Sequence, residues 1–397
     1  MALSKIDIEN MVTGETPVAN GGTGQATLAA AGLSKRPNAK PIIINGDMAV
    51  AQRATSVTSH NAVSYTTVDR FKTVCETGTY TVIQESLTSG AAYLAGFKNA
   101  LRLDTTTAEA TAGSAGEQTT IEQRIEGFNL QAFKKGTSSA EKYTLAFWVK
   151  ASKTGSNLQV NLRDNDNSRQ IGGTYSISSA DTWEHKVVNY AADTTGAFGD
   201  DNGAALTIEW FLDGGSNYSG GAVPTAWEAN NNADRNVTNF DLAGNTANDW
   251  AITGVQLEVG EFSSTTLPPF QFENFGDNLL RCQRYYIQFG KNQGVADEGV
   301  YGLGITNNDN DGCQIQIPFP VTLRADPTAI TQTGTATDYN VRTTTTDVST
   351  GVPQFSNADK NSVQVNFQNA GHGFGTGVLV RGQTATADSF IGIGSEL

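Results

Sequence analysis

The stretch Asn307-Asn308-Asp309-Asn310-Asp311-Gly312 sets oxygen-bearing side chains at alternate positions and then a bend-making glycine, which is how a calcium loop begins. The second half is missing, because Pro318 stands where such a loop needs a bidentate glutamate. An EF-hand is thereby excluded. What survives is an irregular calcium site through Asn307, Asp309 and Asp311, set against the plainer reading of a hairpin turn. Two carboxylates at the right separation suffice for glycoside hydrolysis, and Asp164, Asp166, Asp200, Asp201 and Glu209 add to the supply. Most of them sit in DNDN and DDNG strings, where Asx side chains bond their own backbone, so turns are the expectation. A nucleophilic triad needs a histidine, and His60, His185 and His372 lie in no recognisable motif. The glycine-rich strings Gly21–Gly24 and Gly371–Gly377 lack the strand-then-helix setting and the lysine that phosphate binding requires. No catalytic residue is assigned, and no cofactor is expected beyond that calcium.

Carbohydrate binding asks for something else: a flat aromatic face for the apolar side of a sugar, with amides and carboxylates for its hydroxyls. Asp213–Asn239 meets this in outline, with Tyr218 and Trp227 amid Ser216, Asn217, Glu228, Asn230, Asn231, Asn232 and Asp234. Tyr218, Trp227, Asn230 and Asp234 are therefore ligand candidates. The competing reading, that these aromatics pack back on the fold, is the favoured one. Trp148 and Phe211 are alternatives, because each falls on the polar parity of its strand.

The elements that would carry these groups alternate with period two. In Lys142–Lys150, Tyr143, Leu145, Phe147 and Val149 point one way, and Trp148 joins the polar face. Leu158, Val160 and Leu162 repeat the pattern, as do Leu206, Ile208, Trp210 and Leu212. Near Trp250 the phase changes, since Trp250 and Ile252 share one parity and Val255, Leu257 and Val259 the other; a β-bulge at Gly254 accounts for it. Tyr80–Glu85, Ala100–Leu103 and Thr120–Ile125 are further strands, giving at least seven in an antiparallel sandwich or jelly roll. Pro268-Pro269 breaks the ladder, and Asn274 or Asp277 caps a short helix over Asn278–Gln283. Beyond it, Cys313–Leu323, Val363–Phe367, Val378–Val380 and Ser389–Gly394 read as strands of a smaller β domain with solvent-facing loops such as Thr343–Thr346. Pro318 and Pro320 mark the first of these as an edge strand.

Composition narrows the classes. Only 17% of residues are charged while 42 of 397 are glycine, which suits short strands and many turns. A net charge of −14 argues against nucleic acid, whose binding relies on clustered Lys and Arg. Cys75, Cys282 and Cys313 are too few and too scattered for a disulfide framework or a zinc site, and are expected reduced and buried. No apolar run of membrane-spanning length occurs, and MALSKIDIENMVTGE lacks the core of a signal peptide, so synthesis in the cytoplasm is expected.

Several strings carry a family resemblance. TTLPPFQFENFGDNLLRCQRYY (Thr265–Tyr286), following AITGVQLEVGEF (Ala251–Phe262), resembles the junction between sandwich-like and terminal domains of bacteriophage tail fibres and receptor-binding tail proteins. PVANGGTG (Pro17–Gly24) resembles an element of many tail fibres, and NGDMAVAQR (Asn45–Arg53) and DRF (Asp69–Phe71) are similar in kind. The resemblance implies an all-β homotrimer in the virion tail. Residues 1–40, with a helical candidate at Gln25–Leu33, would attach it to another tail protein and begin the stalk. Residues 41–268 would form an antiparallel β-sandwich, jelly-roll-like and similar to carbohydrate-binding modules, and residues 269–397 a small C-terminal tip domain. The implied function is non-catalytic recognition of a host surface glycan or protein, without membrane insertion. A polysaccharide depolymerase and a purely structural tail component are the alternatives. Arg281-Cys282-Gln283-Arg284-Tyr285-Tyr286 is read as structural, with guanidinium and aromatic faces stacked.

Overall fold

The structure is a computed structural model that describes residues 40–109, 114–290, 300–306, 312–342, 347–368, 377–382 and 389–397. Gln25–Leu33 and the rest of residues 1–39, together with Asn307, Asp309, Asp311, Thr343–Thr346 and His372, lie outside the described residues. The chain divides into two compact units. Unit 1 holds residues 40–49, Ser56–Ser64 and Phe71–Phe272; unit 2 holds Val50–Thr55, Tyr65–Arg70 and Glu273–Leu397. Two short early segments thus belong with the C-terminal unit, which no linear reading of domains reveals.

Strands of the first unit are β1 (Ser56–His60), β2 (Val63–Tyr65), β3 (Lys72–Cys75), β4 (Thr79–Ser86), β5 (Asn99–Thr107) and β6 (Gln118–Glu126). They continue as β7 (Tyr143–Ala151), β8 (Gly155–Asp164), β9 (Arg169–Ile177), β10 (Glu184–Tyr190), β11 (Ala204–Gly214), β12 (Glu228–Ala229) and β13 (Asp249–Val259). One sheet runs β1-β4-β5-β13-β7-β10, antiparallel throughout, and the other β12-β9-β8-β11-β6-β3-β2, antiparallel from β12 to β3. The alternation read from sequence is the sandwich core. Tyr143, Leu145, Phe147 and Val149 of β7, Val160 and Leu162 of β8, and Leu206, Ile208, Trp210 and Leu212 of β11 are fully buried. Phe147 meets Trp210 and Tyr175 edge to face. In β13 the register slips between Thr253 and Gln256, and Gly254 sits at φ +62°, so the phase change is a bulge. One turn of helix, α1 (Ala91–Leu94), crosses the outside of the first sheet, where Ala92, Leu87, Phe97, Ala100, Ala251 and Trp183 form a satellite cluster.

Unit 2 opens with α2 (Phe275–Gln283), capped by Asn274, whose Oδ1 accepts from the Gly276 amide at 3.0 Å. Its strands are β14 (Tyr286–Gly290), β15 (Val300–Thr306), β16 (Gly312–Pro318), β17 (Ile330–Gln332) and β18 (Tyr339–Arg342). β19 (Asp347–Ser349), β20 (Gln354–Ala358), β21 (Ser362–Gln368), β22 (Gly377–Gly382) and β23 (Phe390–Gly394) follow. They form a three-stranded sheet, β14-β23-β17, and a seven-stranded one, β19-β18-β22-β15-β16-β21-β20. The edge expectation drawn from Pro318 and Pro320 is corrected: β16 lies inside the sheet, between β15 and β21. Its ladder closes at Pro318 opposite Ser362, so the prolines end the strand and bar no neighbour. Ile315, Ile317, Val363, Val365, Phe367, Val380 and Ile391 fill the core. All three cysteines are free and buried.

Within unit 2 the strings that carry the family resemblance meet. Arg70 is buried, with its guanidinium 3.4 Å from the ring centroid of Tyr285, and Arg53 stacks on Tyr286 at 3.5 Å. Both arginines pair with Glu396, and Arg324 donates to the carbonyls of Ser395 and Glu396. Asp69 accepts from the Gln52 amide at 3.1 Å; burial pushes its carboxyl up to about 6, against the pull of Arg53 and Gln52.

Candidate functional site

The loop after β11 is where sequence placed most ligand candidates, and the structure gives those side chains work inside unit 1. Glu209, on the outward face of β11, is fully buried beneath that loop and ion-paired to Arg235. Burial works to raise its carboxyl, but Arg235 and Arg163 hold it below the usual range. Asn161 donates to the Arg235 carbonyl at 2.9 Å, and Gln159 to the Asp234 carbonyl at 2.6 Å. The polar face of β8 and β11 is thereby covered by the chain's own loop. Phe211, outward by parity, is covered the same way: Tyr218 lies 5.2 Å away and Arg235 sits over both rings.

Tyr218 is 8% exposed and its hydroxyl donates to the Gly116 carbonyl at 3.1 Å. Trp227 is 9% exposed and its Nε1 donates to the Ala191 carbonyl at 2.8 Å. Beneath Trp227 lies Lys135, whose buried ammonium contacts Asp164 and Asp193 and donates to the carbonyls of Thr195 and Gly196 at 2.9 and 2.7 Å. Asp234 is buried and accepts from the Ala222 amide and from Asn231. Asn230 is exposed, and its backbone amide donates to the Ser168 carbonyl. The structure does not gather Tyr218, Trp227, Asn230 and Asp234 around one open surface. Tyr218, Trp227 and Asp234 pack within unit 1, and Asn230 is exposed.

Trp148 stands differently. β7 pairs with β10 and β13 so that Trp148 lies between His185 and Thr253 on the outward face of the first sheet. Its indole is half-buried, with the exposed His185 ring at 5.0 Å. Partial burial lowers the His185 pKa, which favours the neutral ring at pH 7. The β13 bulge makes room alongside: a Cβ at Gly254 would lie 2.6 Å from Phe97 Cζ and 2.9 Å from Trp148 Cδ1. Phe97 in turn packs against Phe270 at 4.9 Å and Phe272 at 5.0 Å, and Phe272 is 51% exposed. Phe97 itself is buried, so the rings that reach the surface on this face are His185, Trp148 and Phe272, with Phe97 packed among them. Polar groups of the same face flank them. Lys150 sits two residues along β7, 3.6 Å from Glu85, and Arg102 bridges Asp104 and Asp249.

His185, Phe97 and Phe272 were missed from sequence. Phe97 and Phe272 lie in irregular segments where no parity applies, and His185 is outward on a strand that the period-two reading did not find. Among the described residues no group of three or more His, Cys, Asp or Glu side chains is placed to hold a metal ion. No described helix is long and apolar enough to cross a membrane.

No family model and no curated protein sequence matches the chain. Solved structures do. The chain is similar to the enzymatically active domain of tailspike protein 4 of bacteriophage CBA120, at 12% identity and a TM-score of 0.27 over 55% of this chain and 21% of that one. A putative sugar-binding protein from Bacteroides thetaiotaomicron matches at 16% identity and a TM-score of 0.26, over 55% of this chain and all of that one. A family 29 carbohydrate-binding module complexed with mannohexaose matches at 10% identity and a TM-score of 0.25, over 55% and 99%. The likeness is one of fold alone, and the chain spans about a fifth of the tailspike.

Proposed function

We propose that this chain is a bacteriophage tail fibre protein that recognises a host surface glycan without cleaving it. The observation that carries the glycan reading is the ring strip at Trp148. Partly exposed aromatic surface at Trp148 and His185 on a rigid sheet offers the apolar face of a pyranose a stacking partner, while Lys150, Glu85, Arg102, Asp104 and Asp249 offer charged groups to its hydroxyls. The tail-fibre reading rests on the resemblance at Pro17–Gly24, Asn45–Arg53, Asp69–Phe71 and Thr265–Tyr286. Binding through one shallow strip is weak, and a homotrimer attached to the virion tail through residues 1–40 would multiply it, by roughly 10²–10⁴ for linked sites.

Purified protein incubated with host polysaccharide tests the reading. Saturable retention with no rise in reducing ends is the expected outcome. Steady release of new ends would replace it with a depolymerase, and no retention at all would leave a structural tail component. Light scattering should give three times the chain mass; a stable monomer would remove the avidity.

A further inference from the structure

In unit 2, three neighbouring strands each place one amide on the outward face of the seven-stranded sheet. Gln316 of β16 is opposite Gln364 of β21, and Gln364 is opposite Asn357 of β20. Asn357 reaches that row because the register slips between Phe355 and Asn357, a bulge that re-aims the side chain. At the end of the row the turn between β20 and β21 adds Ser362 and Asp359. These residues and Ala358 line a cavity of about 300 Å³, the lower end of the range for small-molecule sites.

The row is pinned from within. Gln364 Nε2 donates to Gln314 at 3.1 Å and its Oε1 accepts from Ser356 at 3.3 Å; Gln316 Nε2 donates to Ser362 Oγ at 3.2 Å. Asp359 Oδ1 accepts from the amides of Asn361 and Ser362 at 2.7 and 2.8 Å, and Asn357 Oδ1 from the Ala358 amide at 2.9 Å. Three polar atoms make no hydrogen bond among the described residues: the amide Nδ2 of Asn357, the amide Oε1 of Gln316 and the carboxylate Oδ2 of Asp359. One donor and two acceptors, one of them charged, around a pocket of this size match adjacent hydroxyls on one ring. Among the described residues no Lys or Arg lines the cavity, so an anionic ligand would meet only the Asp359 carboxylate there. No described aromatic lines it either, so affinity rests on hydrogen bonds and falls in about the millimolar range.

We propose that this cavity is a second binding site, specific for a single neutral, hydroxyl-rich ring such as a terminal pyranose. It is separate in residues from the Trp148 strip and stands without it.

Saturation-transfer NMR on the full chain carrying Trp148→Ala isolates the site, with methyl glucoside, methyl galactoside and glycerol as neutral probes and glucuronate as the anionic one. At least one neutral pyranose should give saturable transfer, glucuronate should give at least fivefold less, and adding Asn357→Ala or Gln316→Ala should weaken the neutral probe at least fivefold. The last two side chains are exposed, so melting should be unchanged. No transfer from any neutral probe, equal transfer from glucuronate, or indifference to both substitutions would each overturn the proposal. None of these results bears on the strip, whose own failure is loss of polysaccharide retention by the unsubstituted chain.

Discussion

Lys135→Met is the sharpest test of what holds the segment beneath Trp227 in place. The ammonium is fully buried between Asp164 and Asp193, and two backbone carbonyls complete its surroundings. Methionine keeps most of the volume and removes the charge. Losing one partner of a buried ion pair costs about 3–5 kcal/mol. The low end applies, because Asp193 keeps Arg169 at 2.8 Å and Asp164 keeps the backbone and side-chain donors of Asn167. At a urea slope of roughly 2–3 kcal/mol/M, a loss of about 3 kcal/mol moves the unfolding midpoint down by about 1 M. The assay reads unit 1 alone, since Trp148, Trp183, Trp210, Trp227 and Trp250 all lie there. The pH dependence has a definite sign. In the unsubstituted protein Asp193 is held below its usual range, burial opposing and Arg169, Thr195 and Lys135 prevailing, so its contribution is complete above about pH 4 and lost below. In the variant one of the groups that hold Asp193 down is gone, so its contribution should shrink and the loss on acidification should be smaller than in the parent. A midpoint shift under about 0.3 M, or the same loss on acidification in variant and parent, would refute the reasoning.

Two further outcomes follow from single residues. Gly254→Ala should cost roughly 1–2 kcal/mol for its left-handed backbone, and its Cβ would press on Phe97 and Trp148, so polysaccharide retention should fall along with the unit 1 midpoint; unchanged retention would detach the bulge from the strip. Asp69, raised to about 6 from 3.8, loses its contribution as pH rises through that window, about 3 kcal/mol in all, and Asp69→Asn should flatten the slope, read by amide exchange at Ile287 and Ile391; an unchanged slope would put the titration elsewhere.

Much of the fold was legible because one-face burial writes period two into a strand. Tyr143–Val149 and Leu206–Leu212 declare their inner faces, and the parity change across Gly254 declares a bulge. Residues that broke the pattern were informative in two different ways. Phe211 is outward because its own loop covers it, whereas Trp148 is outward and partly open, and parity alone does not separate the two. Tyr218 and Trp227 stand in a polar loop, which by composition alone fits a ligand site as well as it fits packing. Yet the same amides and carboxylates are what lets that loop bury backbone and charge against β8 and β11. Pro318 marks a strand end that its sequence does not distinguish from an edge, since a proline denies one hydrogen bond whether a strand ends or lies outermost. The meeting of Arg53 and Arg70 with Tyr285 and Tyr286 joins residues more than 200 apart, and local pattern has no access to that.

The measurement that bears most directly on the glycan reading compares host-polysaccharide binding by the unsubstituted chain and by Trp148→Ala, with the unit 1 urea midpoint recorded on both. Removing the indole should weaken binding at least tenfold, about 1.4 kcal/mol per site, while the midpoint moves by less than about 0.5 M. Equal binding by the two proteins would contradict the assignment of the glycan to this strip.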